Sequence, residues 1–318
     1  MNELLSRPVY LDHFGLQRQP FRLTPDPGCF FPGADRGDVL KALVYALVHG
    51  DGIIMLTGEV GTGKTTLSRM LMASTSRRLT FVYVANPSIG RDELLVIMAN
   101  ELGLGALSGL PAGALSQRVQ KRLIDLHAHG KQVVLVVDEA HEMPVQTLQE
   151  IRLLSNLETS VQKLMQVLLI GQPELDDVLM QPVLRPLRER ISNRIVIPPL
   201  PREEVSRYLN FSCARAGVRR PLFDDQAIET IVTGSQGLAR RINILADKCL
   251  LAAYLDGAHL VGAGHAAAAI EDVAFQFGLT PSRSAPVGER PDGCPACWRG
   301  CRGVGWRPEP AGRLNTSR

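Results

Sequence analysis

Residues Gly58 to Thr65 read Gly-Glu-Val-Gly-Thr-Gly-Lys-Thr, a complete GxxxxGK[ST] pattern. The apolar run Ile53–Thr57 precedes it and the helix-permissive stretch Thr66–Ser74 follows. A strand, a glycine-rich turn and a helix, in that order, let backbone N–H groups close around phosphate oxygens at a positively polarised helix N-terminus. Gly58, Glu59, Val60, Gly61, Thr62, Gly63, Lys64, Thr65 and Thr66 are therefore the expected phosphate-binding residues. Lys64 would reach the β- and γ-phosphates, and the Thr65 hydroxyl would take a place on Mg²⁺. An ordinary glycine turn would not need lysine and threonine at those two positions, so the pattern predicts a bound nucleoside triphosphate.

The run Val133-Val134-Leu135-Val136-Val137 ends in Asp138-Glu139. Two carboxylates at the end of a buried strand place Asp138 to support Mg²⁺ through its water shell and Glu139 to orient and deprotonate the attacking water. On their own the two acids could equally cap a helix; with the phosphate loop upstream they predict hydrolysis. His141, which completes Asp138-Glu139-Ala140-His141, is expected to be incidental, because no other helicase motif accompanies it; the alternative is a contact with the γ-phosphate region. Gln172 follows the apolar run Val167–Ile170, where it could sense the γ-phosphate or help to position water; the alternative is a loop glutamine facing solvent. Arg185, Arg188, Arg190 and Arg194 cluster just before the last expected strand, on what reads as a surface helix. Such a helix can be a plain solvated face. In a phosphate-loop ATPase it is also where one subunit presents an arginine to its neighbour's γ-phosphate. Arg190 is the first choice for that finger, followed by Arg194 and Arg188. In Gly237-Leu238-Ala239-Arg240-Arg241 a helix opens with positive charge in its first turn, against the helix dipole. Arg240 is expected to fold back onto the nucleotide and couple it to lid movement, the alternative being a plain surface residue.

Positioning these residues requires strands that end together. The β-branched runs Ile53–Thr57, Thr80–Ala85, Gln132–Val137, Val167–Ile170 and Ile195–Ile197 are the expected strands. Helices are expected around Lys64–Thr75, Arg91–Leu102, Ala114–His129 and Gln146–Asn156. Near-continuous Val/Ile/Leu runs joined by helices signify a parallel sheet covered on both faces, with ligands outside the strand C-terminal ends. After Pro198-Pro199-Leu200-Pro201 only helical segments follow: Arg202–Ala216, Asp224–Thr233, Ala239–Tyr254 and His265–Phe275. The expected fold is thus α/β, a phosphate-loop parallel sheet flanked by helices and followed by a small all-helical lid. The domain boundaries that follow are 1–50, an irregular segment plus a helix (Asp38–His49) packing on the ATPase core; 51–200, the ATPase domain; 201–277, the lid; and 278–318, a disordered tail rich in Pro, Gly and Arg.

A chain of 318 residues with 45% hydrophobic and 21% charged content has the composition of an ordinary globular protein. Its net charge of +3 does not by itself imply nucleic acid. No apolar run reaches the roughly 18–20 residues a membrane-spanning helix needs; the best candidate, Cys249–Ile270, is broken by Asp256, His259 and His265. Glu3, Arg7 and Asp12 interrupt the N-terminus, which does not read as a secretory signal. The expected localisation is cytoplasmic, with a partner required for any recruitment to the inner membrane. Cys29, Cys213 and Cys249 are expected to be reduced and buried. Cys294, Cys297 and Cys301 form a C-x₂-C-x₃-C cluster that could hold zinc, but no fourth ligand is near and incidental thiols in a tail are the better reading.

Together these motifs resemble the AAA+ ATPases. Phe14-Gly15-Leu16, Pro20-Phe21, Pro25-Asp26-Pro27, the loop Gly58–Gly63, Leu154-Ser155-Asn156-Leu157-Glu158-Thr159 and Gly171-Gln172-Pro173-Glu174-Leu175 look like the ExeA/GspA (general secretion pathway protein A, MshM-like) branch. The resemblance covers roughly residues 8–275. It implies an ATP- and Mg²⁺-dependent ATPase that drives assembly of a bacterial envelope system, namely secretion, type IV pilus or exopolysaccharide. It also implies a homo-oligomer with the arginine finger acting in trans, and a protein partner in the envelope complex. ExeA members carry a membrane span and a peptidoglycan-binding domain after the ATPase, and neither is visible in this sequence. The alternative is a DNA-associated ATPase similar to the TniB-type transposition helpers, for which Arg207, Arg215, Arg219, Arg220, Arg240 and Arg241 would supply charge.

Overall fold

Five short apolar runs form one parallel sheet in the computed structural model of the chain: β1 (Ile53–Thr57), β2 (Leu79–Val84), β3 (Gln132–Val137), β4 (Met165–Gly171) and β5 (Ile191–Val196). Their spatial order is β2-β3-β4-β1-β5, and every neighbouring pair is parallel. The structure describes residues 8–50, 52–75, 78–105, 111–158 and 163–277, all within one compact unit bounded by Met1 and Leu279. The expected tail 278–318, with Cys294, Cys297 and Cys301, lies outside the described residues.

Two helices precede the sheet, α1 (Leu11–Phe14) and α2 (Arg36–His49), and α3 (Lys64–Thr75) follows β1. Helices α4 (Arg91–Glu101) and α5 (Ala112–Ala128) lead from β2 to β3, and α6 (Val145–Leu154) leads to β4. Next come α7 (Glu174–Met180) and α8 (Arg185–Arg188) before β5, then α9 (Arg202–Arg215), α10 (Asp225–Ser235), α11 (Ala239–Leu255) and α12 (Ala263–Phe277).

Side chains alternate across a strand, so a sheet covered on both faces needs apolar residues at every position. β1 and β4 have every residue buried, and apart from Thr57 and Gln166 none of them is polar. Met55, Leu135, Val167 and Leu169 face one core, completed by Leu94 and Met98 of α4, Val119 of α5 and Ile151 of α6. Ile54, Leu56, Val136 and Ile170 face the other, under Leu43 and Leu47 of α2 and Leu67 and Leu71 of α3. A third core lies among the last four helices, around Val205, Leu209, Ile231, Ile242, Leu245 and Leu250.

Three expectations are corrected here. Segment 1–50 does not pack as a whole on the ATPase core. α2 does, but Tyr10, Leu11, Phe14, Leu16 and Phe21 are buried in the core of the last four helices. With both sheet faces already covered by helices, these apolar side chains find their cover on the lid instead. Polar bonds fix the arrangement: Tyr10 Oη and Gln19 Nε2 both donate to Asp247 Oδ1 of α11, the latter at 2.9 Å, and Gln17 N–H donates to Ala216 O at 2.8 Å. The last strand also begins at Ile191 rather than Ile195, which puts Arg194 inside β5 instead of ahead of it. β5 is a sheet edge, and its exposed Ser192, Asn193 and Arg194 hide the apolar pattern. Among the described residues no helix is long and apolar enough to cross a membrane. Cys213 and Cys249 are buried free thiols, each pushed up to about 12 by burial. Cys29, expected to be buried, is only half-buried.

Candidate nucleotide site

β1 delivers the chain into the phosphate loop, and α3 begins at Lys64. Gly61 (φ +83°) and Gly63 (φ +100°) hold left-handed backbone that favours glycine. At Gly58 a Cβ would stand 2.6 Å from the Ile197 carbonyl oxygen and 3.0 Å from Thr62 Oγ1. Thr62 Oγ1 donates to Glu59 O at 2.9 Å and closes the turn. Lys64 is buried and folds over the loop, its Nζ donating to Gly58 O at 2.7 Å and Glu59 O at 3.1 Å. Burial pushes the ammonium below the usual lysine value, against the opposing pull of Glu139, Asp138, Glu59 and Glu174. A triphosphate would give this charge the counter-ions that two carbonyls cannot.

β3 carries Asp138 to the same place. Its Oδ2 accepts from Thr65 Oγ1 at 3.2 Å and from Tyr83 Oη at 2.7 Å, while Oδ1 accepts from Glu139 N–H at 3.0 Å. Glu139 then takes a left-handed turn (φ 49°, ψ 41°) ahead of the 3-10 turn Ala140–Glu142 and lines the pocket beside the loop. A non-glycine residue in that conformation costs about 1–3 kcal/mol, which is the backbone cost of aiming the carboxylate into the cleft. Glu139 Oε2 is buried without a hydrogen-bond partner, with His141 Nδ1 3.6 Å away. The same Nδ1 accepts from Gln172 N–H at 3.5 Å. His141, expected to be incidental, thus lies between the end of β4 and Glu139.

The pocket has three walls: the phosphate loop, the segment Arg22–Phe31, and the lid residues Tyr208, Arg240 and Asn243. Arg240 sits in the first turn of α11, where its N–H donates to Gly61 O at 3.0 Å. The N-terminal segment is held by donors from both sides. Asn243 Nδ2 reaches Arg22 O at 3.0 Å, Arg69 Nη1 reaches Pro25 O at 2.9 Å and Arg215 Nη2 reaches Gly28 O at 2.6 Å. Arg36 is buried at the loop's back; its Nη2 donates to Thr62 O at 3.2 Å and Pro198 O at 3.3 Å, while Nη1 has no partner. Tyr83, Arg36, Tyr208 and Asn243 carry no motif, and sequence reasoning passed over them. Asn243 did have a signal, three positions after Arg240 on the same helix face.

Gln172 and the four arginines do not line this pocket. Gln172 is half-buried at the end of β4. Arg185 pairs with Glu189 at 2.8 Å, and Arg188 donates to Leu179 O at 3.4 Å. Arg194 holds Asp176 with two bonds, Nη2–Oδ2 at 2.6 Å and Nε–Oδ1 at 3.2 Å. Of the lid arginines weighed for nucleic acid, Arg207 pairs with Glu204 at 2.7 Å, Arg220 donates to His259 O at 3.0 Å and Arg241 to Gln236 at 2.9 Å.

The donor set suits Mg²⁺. Thr65 and Asp138 offer hard oxygens, and this ion takes one or two protein ligands plus phosphates rather than a closed protein cage.

The family described as "AAA domain" matches residues 48–179. General secretion pathway protein A of Aeromonas hydrophila is 38% identical over 265 residues, 83% of this chain and 48% of that protein. The chain therefore spans about half the length of the curated relative it matches. Among solved structures, ORC2 of Aeropyrum pernix (ADPNP-ADP complexes) gives a TM-score of 0.62 at 17% identity over 80% of this chain and 72% of that one. The ORC1 protein of the same organism, in complex with DNA, gives 0.60 at 21% over 80% and 69%. The RuvB Holliday junction branch migration motor of Thermotoga maritima gives 0.51 at 15% over 80% and 73%. At these identities the structural likeness establishes the fold alone. Residues 48–179 thus match an AAA domain, on a fold shared with the solved structures above, and the chain is similar over 83% of its length to general secretion pathway protein A.

Proposed function

We infer that this chain hydrolyses ATP to ADP and phosphate in the presence of Mg²⁺. The observation that carries the reading is the meeting of Thr65, Asp138 and Glu139 beside the phosphate loop, with Thr65 Oγ1 3.2 Å from Asp138 Oδ2. Lys64 leaves its two loop carbonyls for the β- and γ-phosphate oxygens, exchanging neutral acceptors for charged ones. Thr65 and Asp138 hold the cation, the asparate through its water shell. Bound there, Mg²⁺ would neutralise charge on the phosphates. Glu139, whose Oε2 lacks a hydrogen-bond partner, takes the proton of the attacking water. Gln172 senses the γ-phosphate through the end of β4, and Arg240 reports it to the lid through α11.

The energy is used to drive conformational change in the assembly of a bacterial envelope system. This part of the reading is supported by the 38% identity to general secretion pathway protein A and rests on no residue of the site. The protein acts as a homo-oligomer in the cytoplasm and is brought to the inner membrane by a protein partner. Arg190 is the finger offered to the neighbouring copy, because the Arg194 guanidinium is already occupied by Asp176. Phosphate release by purified protein, with and without Mg²⁺, tests the activity; Lys64→Ala should lose ATP binding. Mg²⁺-independent release, or ATP binding that survives Lys64→Ala, would contradict it.

A further inference from the structure

β2 contributes to the site a residue that neither motif contains. Tyr83 is the penultimate residue of the strand and pairs in register with Val136 of β3. The ladder continues beyond the strands, since Asp138 N–H donates to Val84 O at 3.0 Å. That continuation brings the Tyr83 phenol level with the Asp138 carboxylate, where Oη donates to Oδ2 at 2.7 Å. The Tyr83 ring packs, half-buried, against the core under α2 and α3.

Oδ2 is also the oxygen that Thr65 Oγ1 reaches at 3.2 Å, and Oδ1 is taken by Glu139 N–H at 3.0 Å. The carboxylate is thus held at both oxygens. A threonine hydroxyl has one proton and two lone pairs. While it donates to Asp138, its lone pairs remain for a cation.

We propose that Tyr83 is a positioning residue for the divalent cation, fixing Asp138 so that Asp138 in turn orients the Thr65 hydroxyl. The proposal rests on the reading of this site as an Mg²⁺-ATP site. It assigns Tyr83 no contact with nucleotide or metal. Groups one step removed from a metal ligand commonly change metal affinity by 10–100-fold when removed.

Tyr83→Phe keeps the ring and deletes the one donor. It should raise the Mg²⁺ concentration for half-maximal hydrolysis about 10-fold, while nucleotide affinity measured in EDTA stays at the wild-type value. In the Glu139→Gln background loaded with ATP, Mn²⁺ binding followed by electron paramagnetic resonance should weaken by the same factor. Phe81→Leu, which alters the neighbouring ring of β2 without touching the carboxylate, should leave both readouts unchanged. Wild-type Mg²⁺ and Mn²⁺ dependence in Tyr83→Phe would overturn the proposal, as would an equal shift in Phe81→Leu, since packing would then be the cause. Wild-type protein that bound neither ATP nor Mn²⁺ would remove the ATPase reading and this proposal together, an outcome distinct from failure of Tyr83 alone.

Discussion

Replacing Gly237 with alanine tests whether the lid is mechanically tied to the phosphate loop. Gly237 has φ +73° in the turn between α10 and α11, and its carbonyl accepts from Leu200 N–H at 2.8 Å. An added Cβ would run into the Leu200 carbonyl oxygen and stand 3.1 Å from Leu200 N and 3.2 Å from its carbonyl carbon. Those are backbone atoms of the proline-rich hinge and yield only by moving the hinge. Gly257, beyond α11, is the control: its φ is similar at +68°, but a Cβ there meets nothing within 4 Å. Left-handed backbone costs either alanine about 1–2 kcal/mol, and the crowding at Gly237 adds about 1–3 kcal/mol. Gly237→Ala should therefore lose about 2–5 kcal/mol and Gly257→Ala about 1–2 kcal/mol. In urea, with a slope of about 3 kcal/mol/M, the midpoints should fall by about 1 M and about 0.5 M. The functional consequence follows from Arg240, next on α11, whose N–H bonds Gly61 O at 3.0 Å. Losing that bond, worth about 1 kcal/mol, should weaken ATP about fivefold in Gly237→Ala and not in Gly257→Ala. Equal stability losses in the two variants, or wild-type ATP affinity in Gly237→Ala, would refute the coupling.

Phe14→Ala should destabilise the protein by about 3–5 kcal/mol in a denaturant titration, because the ring is buried in the lid core although it lies far upstream in sequence. Arg190→Ala should lower kcat roughly 10³-fold with ATP binding intact if it acts across the oligomer; Arg194→Ala, which only releases Asp176, should leave kcat near the wild-type value. Lys64 gives a pH signature. Its folded value lies below the ordinary 10.5, so between the two values the unfolded chain binds more protons and stability rises with pH as the burial penalty fades. A triphosphate restores the lysine charge. ATP affinity should accordingly fall, and binding should take up protons, as pH rises through that same window, which calorimetry in buffers of different ionisation enthalpy would read.

The strands of the sheet centre were legible because burial on both faces forces apolar residues at every position: Ile53–Thr57 and Gln132–Val137 are where the apolar runs put them. β5 was shortened in the reading because its edge position allows Ser192, Asn193 and Arg194. α7 was not among the expected helices, whereas α8 falls where the arginine cluster reads as a surface helix. In the site, motif spacing located Lys64, Thr65, Asp138 and Glu139, since each depends on its place along one strand and one turn. Tyr83, Arg36 and Asn243 depend on which strand or helix lies alongside, and spacing in one chain does not encode that. The same limit explains Phe14 and Phe21: they read as part of an irregular segment on the ATPase core, and nothing in their spacing shows that the lid covers them.

The central claim is that Glu139 activates water in an Mg²⁺-ATP site. Single-turnover hydrolysis should be measured beside equilibrium ATP binding in wild-type protein and Glu139→Gln, both with Mg²⁺. Glu139→Gln should bind ATP with near wild-type affinity while its hydrolysis falls about 10²–10⁴-fold. Hydrolysis at the wild-type rate in Glu139→Gln would contradict the account.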